Sequence, residues 1–388
     1  MPGLEFIDKE ELNEIKDIFN NGGVLFRQGF ENLRKNTFKV LEFEKKFSQF
    51  MSTKHSLAVS SGTAALRVAL ATLNLKKTDV VITQSFTFVA TVEAIIESGA
   101  KPICTEIDET LNMDPNDLEK KITKNTKAVI VVHMLGVPAR LDRIKKICNK
   151  YNIPIIEDTA WGCGGKYNNK YLGTIGNMGT FSFDFAKTLT TGEGGMITFK
   201  NKKDFDKAKA WHDHGHDNNP KVPRWEDTRS SSGFNFRMTE LQGAVGLAQL
   251  KKLKKIISLQ RKNAKLIWNE LKDLHGLKIR VSPSNSFETF DSLIITLKDK
   301  KKAISCRKEL LKVNISTKIL PEATTWHFAK YWNHMPELSS SYKKSLKVSF
   351  PKSEKILLKC VSIPINCKME KNVPIIIKNS IKRVLKLD

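Results

Sequence analysis

Short apolar runs bounded by turn residues recur through the first half of this chain, with helical patterns between them. The runs fall at 80–82, 128–132, 153–156, 180–183 and 196–199, and helical periodicity covers 63–73, 89–98 and 141–151. Strands that alternate with helices predict an α/β architecture with a mostly parallel sheet covered on both faces. Ligands of such sheets bind beyond the carboxyl ends of the strands. From about Arg237 the pattern becomes one long helix, with Leu241, Val245, Leu247, Leu250, Leu253, Ile256, Leu259 and Ile267 at its apolar positions. A further strand at 292–297 and a final helix at about 372–387 predict a smaller α+β C-terminal domain. With 388 residues the chain can bury a large core, and the expected division is 1–250 for the large domain and 251–388 for the smaller one. There is no internal repeat and no low-complexity linker.

One segment carries chemistry more directly than any other. Ser182-Phe183-Asp184-Phe185-Ala186-Lys187 runs into Thr190-Thr191-Gly192-Glu193-Gly194-Gly195, placing a lysine after an apolar strand and before a Gly-rich turn. A lysine buried there can lose its proton and become a nucleophilic amine. Such an amine forms a Schiff base with an aldehyde cofactor, of which pyridoxal phosphate (PLP) is the commonest. In so lysine-rich a chain the plain alternative is a surface lysine capping a strand, so other segments must agree. Ser60-Ser61-Gly62-Thr63-Ala64-Ala65 opens a helix whose first N–H groups suit a phosphate, although Ser-Gly-Thr is also an ordinary helix cap. Ile155-Ile156-Glu157-Asp158 puts Asp158 at the end of an apolar strand, with Glu157 directed to the other face. A carboxylate so placed can keep a pyridine nitrogen protonated. Gly233-Phe234-Asn235-Phe236-Arg237 precedes the long helix, and Asn235 can donate to a phosphate or simply sit in a turn.

Composition narrows the remaining classes. Lys and Arg number 65 against 41 Asp and Glu, a formal charge of +24. Basic charge suits nucleic acid, but no helix-turn-helix or aromatic RNA-binding signature accompanies it, and the reading is a lysine-rich chain with solvated faces and no nucleic-acid partner. No apolar run is long enough to span a bilayer, and the acidic, polar N-terminus has no secretory pattern, so no membrane insertion and a cytoplasmic location are expected. Six cysteines without CxxC spacing read as reduced thiols, with neither a disulfide frame nor a metal site.

Together, and in this order and spacing, these segments resemble the DegT/DnrJ/StrS-type sugar aminotransferases over nearly the whole chain. Thr87-Phe88-Val89-Ala90-Thr91 adds to the match. The resemblance implies the fold type I architecture of PLP enzymes. It further implies that Lys187 binds the PLP aldehyde, Asp158 pairs with the ring nitrogen and Phe88 stacks on the ring. Gly62, Thr63 and Ser182 hold the phosphate, and Asn235 reaches the phosphate of a neighbouring subunit, making a homodimer with shared active sites. Phe88 has a plain alternative as a core aromatic. The family commonly carries Gln or His where Trp161 stands, and often His where Asp184 stands, so the substrate contacts differ here. A dehydrating branch replaces the lysine with histidine, and Lys187 therefore favours transamination.

The reaction so implied moves an amino group from an amino acid, L-glutamate by expectation, to a keto sugar in cell-surface polysaccharide or lipopolysaccharide synthesis. Met1-Pro2-Gly3, the stretch 23–30 and the loop 213–220 resemble the branch that aminates carbon 8 of an oxidised 3-deoxy-octulosonate. A nucleotide-linked 4-keto or 3-keto hexose is the alternative. A sugar acid brings a carboxylate, for which Arg27, Arg34, His214 and His216 are candidates, and Trp161 faces the substrate by expectation. PLP-dependent desulfuration would require a reactive cysteine such as Cys163, and a non-enzymatic regulator would not need Lys187 and Asp158 together.

Overall fold

The computed structural model describes residues 1–219 and 221–385; Pro220, in the 213–220 loop, and residues 386–387 of the expected final helix lie outside the described residues. The strands before residue 200 are β1 (His55–Val59), β2 (Val80–Gln84), β3 (Lys101–Thr105), β4 (Thr126–Val132), β5 (Ile155–Asp158), the short hairpin β6 (Lys166–Tyr167) and β7 (Lys170–Tyr171), then β8 (Met178–Ser182) and β9 (Gly195–Phe199). Among the described residues, one sheet has seven strands in the order β1-β9-β8-β5-β4-β2-β3. Neighbours from β8 through β3 pair in parallel, whereas β9 runs antiparallel to both β8 and β1.

Alternation along the strands divides the core. Ala128 and Ile130 join Val81 and Ile156 beneath α3 (Gly62–Ala71), α4 (Ala90–Glu97) and α7 (Lys202–Trp211), while Val129 and Val131 join Ile82 and Ile155 on the opposite face. That face is covered by α5 (Pro115–Lys121) and α6 (Leu141–Lys150), with α2 (Lys39–Met51) further along, while α1 (Lys9–Asn20) packs on the long helix that follows the sheet in sequence. Strands buried on both faces read as continuous apolar runs, which is why the interior ones were visible in the sequence. β3 was not, because it is an edge strand whose Pro102 sits where a missing N–H is tolerated.

The long helix is α8 (Glu240–Leu271), started by a capping box between Thr239 and Gln242. Residue 250 lies inside it. Its first half packs on α1 and α2, and its second half reaches β12 (Ser292–Leu297) and α12 (Val373–Leu385). The second half of the chain also holds β10 (Leu277–Ile279), β11 (Ser286–Phe287) and β13 (Cys360–Pro364), with α9 (Lys300–Leu311), α10 (Pro336–Ser339) and α11 (Pro351–Leu357). Strands β10-β12-β13 form an antiparallel sheet with a core of its own. The stretch between α9 and β13 folds back over the large sheet, where Leu320, Phe328, Trp332 and Phe350 pack with Phe86, Val132 and Leu135.

The lysine-rich charge is partly answered inside the fold. Lys252 is buried against Glu11 and Asp8, and Lys251 pairs with Glu14, so the acidic N-terminus packs on the basic run of α8. Among the described residues no helix is long and apolar enough to cross a membrane.

Candidate active site

The large sheet ends at a cavity of about 460 Å³ lined by residues from the carboxyl ends of its parallel strands. After β1 come Ser61, Gly62 and Thr63; after β2, Thr87 and Phe88; at β5, Asp158, Ala160 and Trp161; at β8, Ser182, Asp184 and Lys187; and His327 closes it from the returning C-terminal stretch. Four segments distant in sequence meet here because the parallel strands all deliver their carboxyl ends to one edge.

The first of them builds an anion site. Ser61 caps α3 by accepting from the Ala64 N–H at 3.0 Å, and its carbonyl accepts from Ala65. The N–H groups of Gly62 and Thr63 remain at the positive end of the helix. A Cβ on Gly62 would lie 2.6 Å from Ser182 Cβ, so only glycine lets the helix start meet the β8 end. Phe88 is 42% exposed, whereas the neighbouring Phe86 is fully buried. Its ring stands open to the cavity, 5.3 Å from the His327 ring.

Asp158 is buried, accepting from the Thr91 hydroxyl at 2.9 Å and the Ala160 N–H at 3.2 Å. Burial pushes its carboxyl up from the usual range, against those hydrogen bonds and the more distant Lys187 and His133. No salt bridge reaches it among the described residues, so a cation placed against it would stabilise its charged form. Glu157 faces away and binds the N–H groups of Gly173, Ile175 and Gly176 along with His133.

Lys187 sits on a turn closed at both ends: Phe183 donates to the Gly194 carbonyl and Thr191 donates to the Phe183 carbonyl. Gly192 adopts φ +79°, and a Cβ on Gly195 would lie 2.3 Å from the Ser61 carbonyl. Burial first, then the charge of Lys318, brings the Lys187 amine from 10.5 to about 8, although Asp291, Asp184 and Asp158 oppose the change. A neutral, nucleophilic amine is therefore accessible near neutral pH. Its Nζ lies 3.3 Å from the centre of the Trp161 ring.

Five expected residues lie elsewhere. Arg27 must be corrected as a substrate ligand: it is buried, donating to Glu44 at 2.8 Å and to the Ala58 carbonyl, with His212 Nε2 at 3.1 Å. A buried guanidinium is retained only with such partners, and these fasten the N-terminal segment to the sheet. Arg34 is likewise buried, on Glu240 at 2.8 Å, and His216 is buried beside Asp227. His214 is exposed at φ +56° and lines no part of this cavity. Asn235 is exposed too, bridged to Asp213 on the same outer loop and outside the cavity of its own chain. Sequence reasoning did not single out Lys318 or His327; both come from a stretch without a motif. Cys163 is buried and its thiol is pushed up to about 12, which denies it the thiolate that desulfuration needs.

An anion site at a helix start, an open aromatic face, a buried carboxylate lacking a cation and an amine of lowered basicity match the phosphate, ring, ring nitrogen and aldehyde of PLP. Together they define a fold type I PLP-dependent enzyme. The chain belongs to the DegT/DnrJ/EryC1/StrS aminotransferase family, whose family model matches residues 7–380. It is 33% identical to the GDP-perosamine synthase of Escherichia coli O157:H7 over 84% of this chain and 89% of that one. It is also 31% identical to the spore coat polysaccharide biosynthesis protein SpsC of Bacillus subtilis, covering 89% of this chain and 90% of that one. Among solved structures it superposes with a TM-score of 0.83 on a GDP-4-keto-6-deoxymannose-3-dehydratase holding a trapped PLP-glutamate geminal diamine, at 25% identity over 97% of this chain and 98% of that one. The protein is a PLP-dependent sugar aminotransferase.

Proposed function

We propose that this enzyme moves an amino group from L-glutamate to an oxidised 3-deoxy-octulosonate at carbon 8, with Lys187 as the proton carrier. The observation that carries the chemistry is the Lys187 amine, brought to about 8 in a cavity shared with a buried Asp158. When bound, PLP supplies an aldehyde that carries the amino group and a ring that withdraws electrons from the carbon losing its proton. The chain's residues do the rest. Gly62 and Thr63 N–H groups and the Ser182 hydroxyl would hold the phosphate, Phe88 would cover the ring, and Asp158 would keep the ring nitrogen protonated. Lys187 Nζ would take and hold the proton of the donor's α-carbon and, in the second half-reaction, deliver one to the sugar carbon that receives the amine.

The sugar-acid reading is supported by where its distinctive stretches lie. The Gly3 N–H donates to the Lys187 carbonyl at 3.1 Å, so Met1-Pro2-Gly3 packs against the catalytic turn. Gln28 donates to Asp213 at 3.0 Å, and Arg224 and Arg237 also bind Asp213, which joins the 23–30 stretch to the loop beside Asn235. We read the exposed Asn235 and His214 as contributions to the cavity of a second copy. A nucleotide-linked 4-keto or 3-keto hexose is the second reading, favoured by the GDP-perosamine synthase relative. Purified enzyme with glutamate, assayed for 2-oxoglutarate against both sugar classes, separates them: turnover with nucleotide sugars alone would sink the octulosonate reading.

A further inference from the structure

The Trp161 indole carries two ammonium groups. Lys187 Nζ lies 3.3 Å from its ring centre and Lys318 Nζ 4.3 Å. Lys187 comes from the turn after β8, but Lys318 comes from the connection between α9 and β13. Its N–H donates to the Ser362 carbonyl on β13 at 2.8 Å. Its ammonium pairs at 2.8 Å with Asp291, a carboxylate only 2% exposed, just before β12. Trp161 is held from the same side, since the Thr289 hydroxyl donates to its carbonyl at 3.3 Å. Where the family commonly has Gln or His, this chain thus places an aromatic ring that two lysines approach.

Two like charges beside one half-buried ring each make the other costlier to ionise. Lys318 is compensated by its contact with Asp291, while Lys187 has no salt bridge among the described residues, so the cost falls on Lys187. The charged groups facing Lys187 are Asp184 on its own turn, Asp158 on β5, Asp291 before β12 and Lys318. The carboxylates favour its protonated form, burial and Lys318 oppose it, and the opposition prevails. His327 from the returning stretch stays neutral, pushed to about 4 by burial and by both lysines.

We propose that Lys318 is a positioning residue for transamination, which acts across the shared Trp161 indole to keep Lys187 free to accept a proton, with Asp291 anchoring Lys318. The proposal rests on reading Lys187 as the proton carrier. Competitive acylation of Lys187 across a pH series in cofactor-free protein, read by peptide mass spectrometry, tests it without any substrate. The labelling midpoint is expected near 8 in the wild type and higher, toward the ordinary 10.5, in Lys318→Met, with Lys318→Arg and the exposed Lys347→Met unchanged. A midpoint raised by about one pH unit leaves about tenfold less neutral amine at any pH below it. In the holoenzyme, kcat of Lys318→Met should therefore fall about tenfold near neutral pH for every such rise, recover in more alkaline solution, and leave KM for the keto sugar unchanged. An unmoved midpoint, a kcat loss equal at every pH, or a raised KM would overturn the proposal. Should the loss of Lys318 leave Asp291 too costly for folding, the double variant Lys318→Met with Asp291→Asn removes both charges of the pair. Because Lys318 weighs more on Lys187 than Asp291 does, its midpoint is also expected to rise, and an unmoved one refutes the idea. If no keto sugar turned over, the octulosonate reading would fall while the labelling result stood.

Discussion

Gly62 shows how a single missing side chain lets a helix start and a strand end meet at the candidate site. A methyl group there would press on Ser182 at 2.6 Å, and overpacking of this kind costs about 1–3 kcal/mol. Gly62→Ala should lower the melting temperature of the cofactor-free protein and weaken PLP binding, both readable by calorimetry with and without PLP. Lys187→Ala should lower kcat by at least about 10²–10⁴-fold, the usual contribution of a general acid–base group. It should also abolish the borohydride-fixed yellow colour while PLP still binds at the phosphate site; a variant that stays yellow and reducible refutes the lysine assignment. Lys187 and Asp158 were legible because each ends an apolar run, and a strand end is a position that sequence pattern reveals. Arg27 was misread because a buried arginine and a substrate-binding arginine look alike until Glu44 and His212 are seen around it. Lys318 was invisible, since its role depends on a turn far along the chain meeting Trp161 in space.

At the scale of elements, the two helices that start beside the site depend on their first turns. Ser61→Ala removes the α3 cap and should cost about 1 kcal/mol, together with some PLP affinity, because the same helix start is the phosphate site proposed above. At the first residue of α8 the stakes are higher. Glu240 is fully buried, binding Arg34 at 2.8 Å and the N–H groups of Lys39 and Val40. Glu240→Ala leaves the Arg34 charge buried without its partner, so a loss of about 3–5 kcal/mol is expected in urea unfolding. The interior strands could be read from composition, whereas the edge strand β3 and the small hairpin β6–β7 lacked enough apolar residues to stand out. Neither supplies a residue to the cavity lining.

For the whole molecule, acid should weaken the fold well before carboxylates titrate. Burial, then Arg27, lowers His212 from 6.5 to about 3. The unfolded chain therefore binds a proton that the folded one refuses, and stability present above pH 6.5 is lost as pH falls toward 3. The slope approaches about 1.4 kcal/mol per pH unit, with His327 acting in the same direction. Thermal melts between those limits should show this decline, and His212→Gln should flatten it. The proposed second-copy role of Asn235 predicts that Lys187→Ala and Asn235→Ala, each inactive alone, regain activity when mixed under conditions that exchange subunits; no recovery would place Asn235 outside the site.

The 32 residues of α8, running unbroken from the first sheet's helices to the second sheet, also constrain recombination among relatives. A chimera joined near residue 250 would splice two half-helices, each packed for its original neighbours, into one rod of about 48 Å. Viable exchanges of substrate preference should instead carry α8 whole, with the strand ends travelling as a set and the turn at Lys318 coming from the same parent as Trp161.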